Sequence, residues 1–325
     1  MGNLASLYKS QERDEEAEGL YTRALEEQEK QLGAVNPSTL ATMNNLAHVY
    51  EGQGRYEEAE SLYAQALAEQ QEQLGVDHPS VLTTVNNLAH LYEVQGRYKE
   101  AESLYAQVLA GLQDQDQFGA DHPSVLTTVN NLAHLYEVQG RYKEAERLYA
   151  QVLAGLQDQF GVDHPSVLTT VNNLAHLYEV QGRYKEAERL YAQVLAGLQD
   201  QFGVDHPSVL TTVNNLAHLY EVQGRYKEAE SLYAQVLAGL QDQFGVDHPS
   251  VLTTVNNLAH LYEVQGRYKE AESLYVQALA GQEAMLGPNH SHTQVALGNL
   301  AQLLDAQGRH EGAKALRERM GQRIS

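Results

Sequence analysis

The 42 residues PSVLTTVNNLAHLYEVQGRYKEAERLYAQVLAGLQDQFGVDH, at positions 165–206, decide the fold. The following 42, at 207–248, repeat them with one change, Arg189 to Ser231. Recent duplication and deliberate design both produce such identity. The second asparagine of the Asn-Asn-Leu-Ala motif is a ruler for the rest of the chain. It stands at Asn45, Asn87, Asn131, Asn173, Asn215 and Asn257, with a degenerate copy at Asn299, at intervals of 42, 44, 42, 42, 42 and 42. The long interval carries a duplicated Asp-Gln within Gln113-Asp114-Gln115-Asp116-Gln117. A fixed period of this length marks a repeat array, which overrides a domain count based on length. One array over 1–325 is expected, with units near 1–35 (truncated), 36–77, 78–121, 122–163, 164–205, 206–247, 248–289 and 290–325, the last a C-terminal cap.

Each unit reads as two helices. In the second full unit the first helix opens at Pro79, where a missing N–H costs nothing. His78 before it shares a column with Asn36 and is expected to be the N-cap. Leu82, Val85, Leu88, Ala89 and Tyr92 follow at the three-four spacing of one helix face. Gly96 ends the helix. The second helix carries Tyr98, Ala101, Leu104, Tyr105, Val108 and Leu112. Neither helix is apolar all round, so each must be buried by its partner and by the next pair. Ala89 and Ala101 are expected where the two helices approach closest, with Tyr98 and Tyr105 filling wider gaps. The Asp-Gln insertion is expected to be absorbed at the helix end or in the following loop. Carried as helix, it would turn Phe118 roughly 200° off the core face.

Composition narrows the function classes. With 22 Lys and Arg against 43 Asp and Glu, the formal charge is −21, a field that repels nucleic acid and anionic lipid. Protonating all 14 His would bring it to −7, so the electrostatics depend on pH. With no Cys, there are no disulfides, thiolate metal sites or cysteine nucleophiles. No apolar run suits a signal peptide or a membrane span, so a cytoplasmic location is expected, with an extracellular one left open. Gly2 formally fits an N-myristoylation pattern. Gly2-Asn3-Leu4-Ala5 is in register with Gly298-Asn299-Leu300-Ala301, so the repeat explains it better.

The string Asn-Asn-Leu-Ala-x-x-Tyr, then Gln-Gly-x-Tyr-x-Glu-Ala-Glu-x-Leu-Tyr, then Leu-Gly-x-x-His-Pro resembles the long tetratricopeptide repeats of kinesin light chains and their bacterial relatives. The resemblance covers essentially the whole chain and recurs in successive units. It implies an all-α fold, an α-solenoid of antiparallel helix pairs in a right-handed superhelix, with a concave groove lined by first helices. The usual repeat is about 34 residues, so the extra length is expected to extend both helices. The heptad segment that docks kinesin light chains on the motor has no counterpart in this sequence. Their grooves grip acidic cargo with basic residues, whereas this face is neutral to acidic. Neither motor association nor acidic cargo is carried over.

At about 100° per residue, Thr83, Asn87, His90 and Val94 cluster on one side of the first helix, flanked by Asn86 and Glu93. Val85, Leu88 and Tyr92 lie opposite. The same stripe recurs at Thr127, Asn131, His134 and at Thr169, Asn173, His176. It recurs again at Thr211, Asn215, His218 and at Thr253, Asn257, His260, and begins with Asn45 and His48. These are the candidate peptide-binding residues. Asparagine offers donor and acceptor, so it can pair with the backbone of an extended peptide. In the resembled family the matching asparagines do this. Bridging between adjacent first helices is the alternative, and one residue can do both.

The histidine column departs from the family pattern, where a small or aliphatic residue is usual. His90 and Glu93 form His-x-x-Glu, a spacing that can ligate metal. First helices roughly 8–10 Å apart leave each pair without further ligands, so no metal and no cofactor are expected. A pH-sensitive groove is expected instead, because nearby glutamate favours the protonated imidazole. His78 and His122 are expected to cap helices. Arg97, Lys99 and Glu100 are expected to be solvated surface. The tyrosines are read as core rather than as a stacking platform for nucleic acid. The sequence has no phosphate-cradling glycine loop, no His-Glu-x-x-His and no nucleophile elbow, so the chain is not expected to be an enzyme.

The ends add two further readings. The last helix, near Glu311 to Arg323, gathers Lys314, Arg317, Arg319 and Arg323 in an otherwise acidic chain. The first unit is acidic at Glu12, Asp14, Glu15, Glu16 and Glu18, with Leu4 and Leu7 at an open end. Head-to-tail self-association into a filament is one reading. A sensor-repeat fragment of a larger signalling protein is another. The primary expectation is a non-catalytic scaffold that binds a protein or peptide partner, with neither nucleic acid nor membrane as partner.

Overall fold

A computed structural model describes residues 2–10, 13–113 and 122–321. The Asp-Gln insertion, Phe118, Glu12 and Arg323 lie outside the described residues. Two compact units divide at Gln181 and Gly182. The first contains α1 (Gly2–Ser10), α2 (Asp14–Leu32), α3 (Pro37–Gly52), α4 (Tyr56–Leu74), α5 (Pro79–Val94), α6 (Tyr98–Gln113), α7 (Pro123–Val138), α8 (Tyr142–Phe160) and α9 (Pro165–Val180). The second contains α10 (Tyr184–Phe202), α11 (Pro207–Val222), α12 (Tyr226–Phe244), α13 (Pro249–Val264), α14 (Tyr268–Leu286), α15 (Ser291–Ala306) and α16 (His310–Gly321). No strand occurs among the described residues, and no helix among them is long and apolar enough to cross a membrane.

The expected helix pair is the building block. A typical first helix has 16 residues and a typical second helix 19, about 24 and 28 Å long. In the first unit α7 packs on α8 and α8 packs on α9, and in the second α11 packs on α12 and α12 packs on α13. First helices also touch one another directly: α3 meets α5, α5 meets α7, α7 meets α9, and in the second unit α11 meets α13. The pairs therefore form a solenoid within each unit, with first helices side by side on one face.

Local chemistry sets the boundaries. The Nδ1 of His78 accepts the backbone N–H of Ser80 at 3.2 Å, as Asn36 does for Ser38 at 3.0 Å. His122, His164, His206, His248 and His290 cap in the same way. Phe160 stacks on His164 with ring centroids 4.5 Å apart, which holds the capping ring in place. Replacing His164 by alanine is expected to cost about 1 kcal/mol, and His164→Asn much less, because asparagine also caps. Urea titration of both variants checks this, and equal losses would remove the capping role.

Gly96 adopts φ 75°, with Gly96 N–H bonded to Glu93 O and Arg97 N–H to Tyr92 O. This double closure folds the chain back on the helix end and sets Arg97 over Tyr92.

The core follows the expected stripe at most positions. Ala89 and Ala101 are buried, as are Val85, Leu88, Tyr105, Val108 and Leu112. Tyr63, Tyr149, Tyr233 and Tyr275 repeat the buried tyrosine. The expectation for the Tyr98 column is corrected. Tyr98 is half-buried, and Tyr142 and Tyr268 are 36% and 42% exposed. This residue begins the second helix, just after the turn, so it stands at the rim of the pair.

Candidate functional site

Within each unit, side-by-side first helices bring that unit's candidate residues onto one face. Thr83, Thr127, Thr169 and Thr211 are exposed, and Thr253 is half-buried. Each of the four exposed hydroxyls donates to the carbonyl one turn back, as Thr83 does to Pro79 at 2.9 Å. What they retain for a ligand is acceptor capacity. Asn45 is exposed, and Asn87, Asn131, Asn173, Asn215 and Asn257 are half-buried. His48, His90, His134, His176, His218 and His260 are exposed. Val94, Val138 and Val180 end the stripe in the first unit, each nearly half exposed.

The asparagines hold neighbouring first helices together at several joints. Asn173 donates to Asn130 at 3.4 Å, and Asn257 to Asn214 at 3.3 Å. Asn299 donates to Asn256 at 3.3 Å. At the joint of α3 and α5 the arrangement differs: Asn44 donates to Thr84 Oγ1 at 2.7 Å.

His90, His134, His176 and His260 do not pair within their own His-x-x-Glu spacing. His90 Nδ1 lies 2.6 Å from Glu51, in the preceding helix pair, rather than on Glu93. His134 meets Glu93 at 2.5 Å, His176 meets Glu137 at 2.6 Å, and His260 meets Glu221 at 2.5 Å. His48 has Lys9 at the corresponding earlier position and turns to its own Glu51 at 3.4 Å. Each of these carboxylates is buried and also accepts from a core tyrosine of its own pair. Tyr63 donates to Glu51, Tyr105 to Glu93, Tyr149 to Glu137 and Tyr233 to Glu221. A repeating Tyr–Glu–His bridge thus joins the core of one pair to the exposed face of the next.

This bridge shifts the proton equilibria. Hydrogen bonding to glutamate, against partial burial, raises His90, His134, His176 and His260 above the usual 6.5. Burial acts to raise Glu51, but hydrogen bonds from His48 and His90 outweigh it and lower the carboxyl to about 2. Burial, followed by the charge of Glu137, raises Tyr149 well above its ordinary value. The expected direction holds for these four histidines, but the glutamate mainly responsible sits in the preceding helix pair. A signal was present in the sequence. Glu93 follows Val85 and Ala89 at four-residue steps, which places it on the buried stripe. Among the described residues no group of three or more His, Cys, Asp or Glu is placed to hold a metal ion.

Arg97 is corrected from solvated surface to a clamp. Its guanidinium lies 3.6 Å from the centroid of Tyr92, and it pairs with Glu60 of the preceding pair at 2.8 Å and with Glu100 at 2.6 Å. Tyr92 donates to the same Glu60 at 2.9 Å. Arg55, Arg141, Arg225 and Arg267 repeat the arrangement. The schedule of charges had concealed this, because the partner lies 37 residues earlier.

At the ends, much of the charge is already engaged within the chain. Arg317 pairs with Asp305 and Arg319 with Glu283. Asp14 pairs with Lys9, Glu16 with Arg13, and Glu18 with Arg55. Leu4 and Leu7 are 46% and 50% exposed.

Two clefts open beside the predicted residues. One, of about 240 Å³, gathers Asn45, Thr83 and Asn87 between α3, α4 and α5. Another, of about 260 Å³, includes Thr127 and Thr169 between α7, α8 and α9.

A family model described as Tetratricopeptide repeat matches residues 1–68, 38–114, 124–200, 166–242, 208–284 and 250–319. The chain is similar to the crystal structure of a Podosopora anserina protein named for the kinesin light chain, with nearly identical TPR-like repeats. The two share 33% identity over 64% of this chain and 98% of the other, with a TM-score of 0.52. BtubC (BKLC) from P. vanneervenii is 25% identical over 72% of this chain and 92% of its own, with a TM-score of 0.55. The apo form of the quorum sensor NprR from B. thuringiensis, 18% identical, shares the fold over 91% of this chain and 80% of its own, with a TM-score of 0.64. No curated protein matches the chain.

Proposed function

The chain belongs to the tetratricopeptide repeat family, and from that premise we propose that it is a non-catalytic scaffold binding an extended peptide or protein segment along its first-helix face. One observation carries the reading. Successive first helices within each unit present Thr, Asn and His in register, and clefts open beside Thr127 and Thr169 and beside Asn45, Thr83 and Asn87. An extended strand advances about 3.3 Å per residue, so roughly three residues span neighbouring helices 8–10 Å apart. Asparagine can donate to and accept from such a backbone regardless of its side chains. Near-identical units suit a partner whose contacts also recur. A catalytic pocket would be an odd thing to copy unchanged through every unit.

Panning a random 16-residue peptide library on the immobilised full chain tests this. Captured peptides are expected to bind about fivefold more weakly to Asn87→Ala, the loss of roughly one hydrogen bond. Lys99→Ala, on the exposed side of α6, is expected to bind as the parent does. A library that yields no bound peptide, or peptides indifferent to Asn87, would overturn the proposal.

A further inference from the structure

The two clefts share one architecture and differ in their floors. Pro37, Leu40, Leu74 and Ser80 in the first correspond to Pro123, Leu126, Phe160 and Ser166 in the second. The second is floored by Val152, Leu156 and Phe160, an apolar set. The first has Gln70 where the second has Leu156. Leu112, Leu198 and Leu240 also occupy this column, so Gln70 departs from the four units that follow it, while Gln28 and Gln282 share its amide.

Gln70 is 4% exposed. Its Oε1 accepts from Thr84 Oγ1 at 2.7 Å, and that hydroxyl accepts from Asn44 Nδ2 at 2.7 Å. The Oδ1 of Asn44 is buried and has no hydrogen-bond partner. An unpaired acceptor of this kind is costly, so a guest that supplies a donor to this amide face is favoured over one that supplies none. Asn45, Gln73 and Asn87 complete a ring of amides, and no charged side chain lines the cleft.

We infer that this cleft selects a carboxamide side chain, glutamine or asparagine, from an extended peptide, whereas the cleft between α7, α8 and α9 takes an apolar side chain. The inference rests on the peptide-binding reading above and names what one position reads. A carboxamide is neutral and carries both donor and acceptor, matching the amide ring. A carboxylate would find no cation and an ammonium group no anion, and desolvating either is costly. A leucine would bury Asn44 and Gln70 against a group that cannot bond them. At about 240 Å³, the cleft is smaller than the roughly 300–1,000 Å³ that holds a drug-sized ligand, which suits a single side chain.

The test uses the full chain, with Gln70→Leu as the variant. Leucine is the residue of the interior copies, so folding is expected to survive, and a circular dichroism melt checks it. In the first arm, N-acetyl-glutamine methylamide is titrated into 15N-labelled chain. Saturable shifts are expected at the side-chain amides of Asn44, Asn45, Gln70 and Asn87. N-acetyl-leucine methylamide is expected to bind about tenfold more weakly, as is the glutamine probe to Gln70→Leu. Equal binding of both probes, no binding, or binding that survives Gln70→Leu overturns the inference. In the second arm, the 16-residue library is panned on both proteins. Glutamine or asparagine is expected at one position, giving way to apolar residues on Gln70→Leu. An unchanged preference also overturns the inference. Failure to capture any peptide counts against the proposed function alone, because the first arm probes the cleft directly.

Discussion

Tyr149→Ala is expected to lower stability by about 3–5 kcal/mol, the range for removing a large aromatic side chain from a packed core. Tyr149 has no exposed surface and sits among Ala145, Leu148 and Val152 on the buried side of α8. Alanine leaves a cavity in the core beside α8, and it also removes the hydroxyl that donates to Glu137 at 3.1 Å. Tyr149→Phe separates these effects. It keeps the ring and removes only the hydrogen bond, so about 1 kcal/mol is expected. Urea denaturation followed by circular dichroism measures both. A phenylalanine variant as damaged as the alanine variant would show that the bridge, rather than the packing, dominates. Because a repeat array couples only nearest neighbours, the alanine variant is also expected to broaden the transition as its two sides uncouple.

Glu137→Leu is expected to cost about 2–4 kcal/mol. Leucine fills similar space but leaves the buried hydroxyl of Tyr149 without its acceptor and removes the anion facing His176. The estimate is held below the full penalty for a broken buried ion pair because His176 is about half exposed and can be solvated. This joint also makes stability depend on pH. The folded-state pKa of His176 lies above its unfolded value of 6.5. Its contribution is therefore complete below pH 6.5 and disappears as pH rises through the folded value. Glu51 has the opposite sign. Its contribution is present above 4.5 and is lost as pH falls toward about 2. The two together favour the window between 4.5 and 6.5. Comparing wild type with His176→Gln isolates this joint. The difference in melting temperature is expected to be largest below pH 6.5 and to shrink above it. A difference that stays constant with pH would sink the account of the bridge.

Helix pairs, their period and nearly all of their boundaries were legible from the chain alone. The cap at His78, the turn at Gly96 and the buried stripe through Ala89 and Tyr105 are all local properties. They depend on backbone geometry and on residues three or four positions apart, and a 3.6-residue helix makes those relations visible in one dimension. The same rule placed Thr, Asn and His on one side of the first helix. It misplaced Tyr98, because stripe position says nothing about distance from the rim, where a helix begins.

The partners of polar groups were decided only by the tertiary structure. His90 reaches Glu51, 39 residues back, rather than Glu93 three residues on. Arg97 reaches Glu60 at 37 residues, and Asn173 reaches Asn130 at 43. These separations sit close to one period because neighbouring units stack side by side, but the offset from the period depends on how one pair is set against the next. Repetition makes such contacts recur without saying which residues meet. The sequence by itself therefore determined that helix pairs form and which face each one buries. The stacking decided that the histidine column is tied to buried carboxylates of the neighbouring unit. It also decided that Gln70, a glutamine where the four following units carry leucine, lines a cleft.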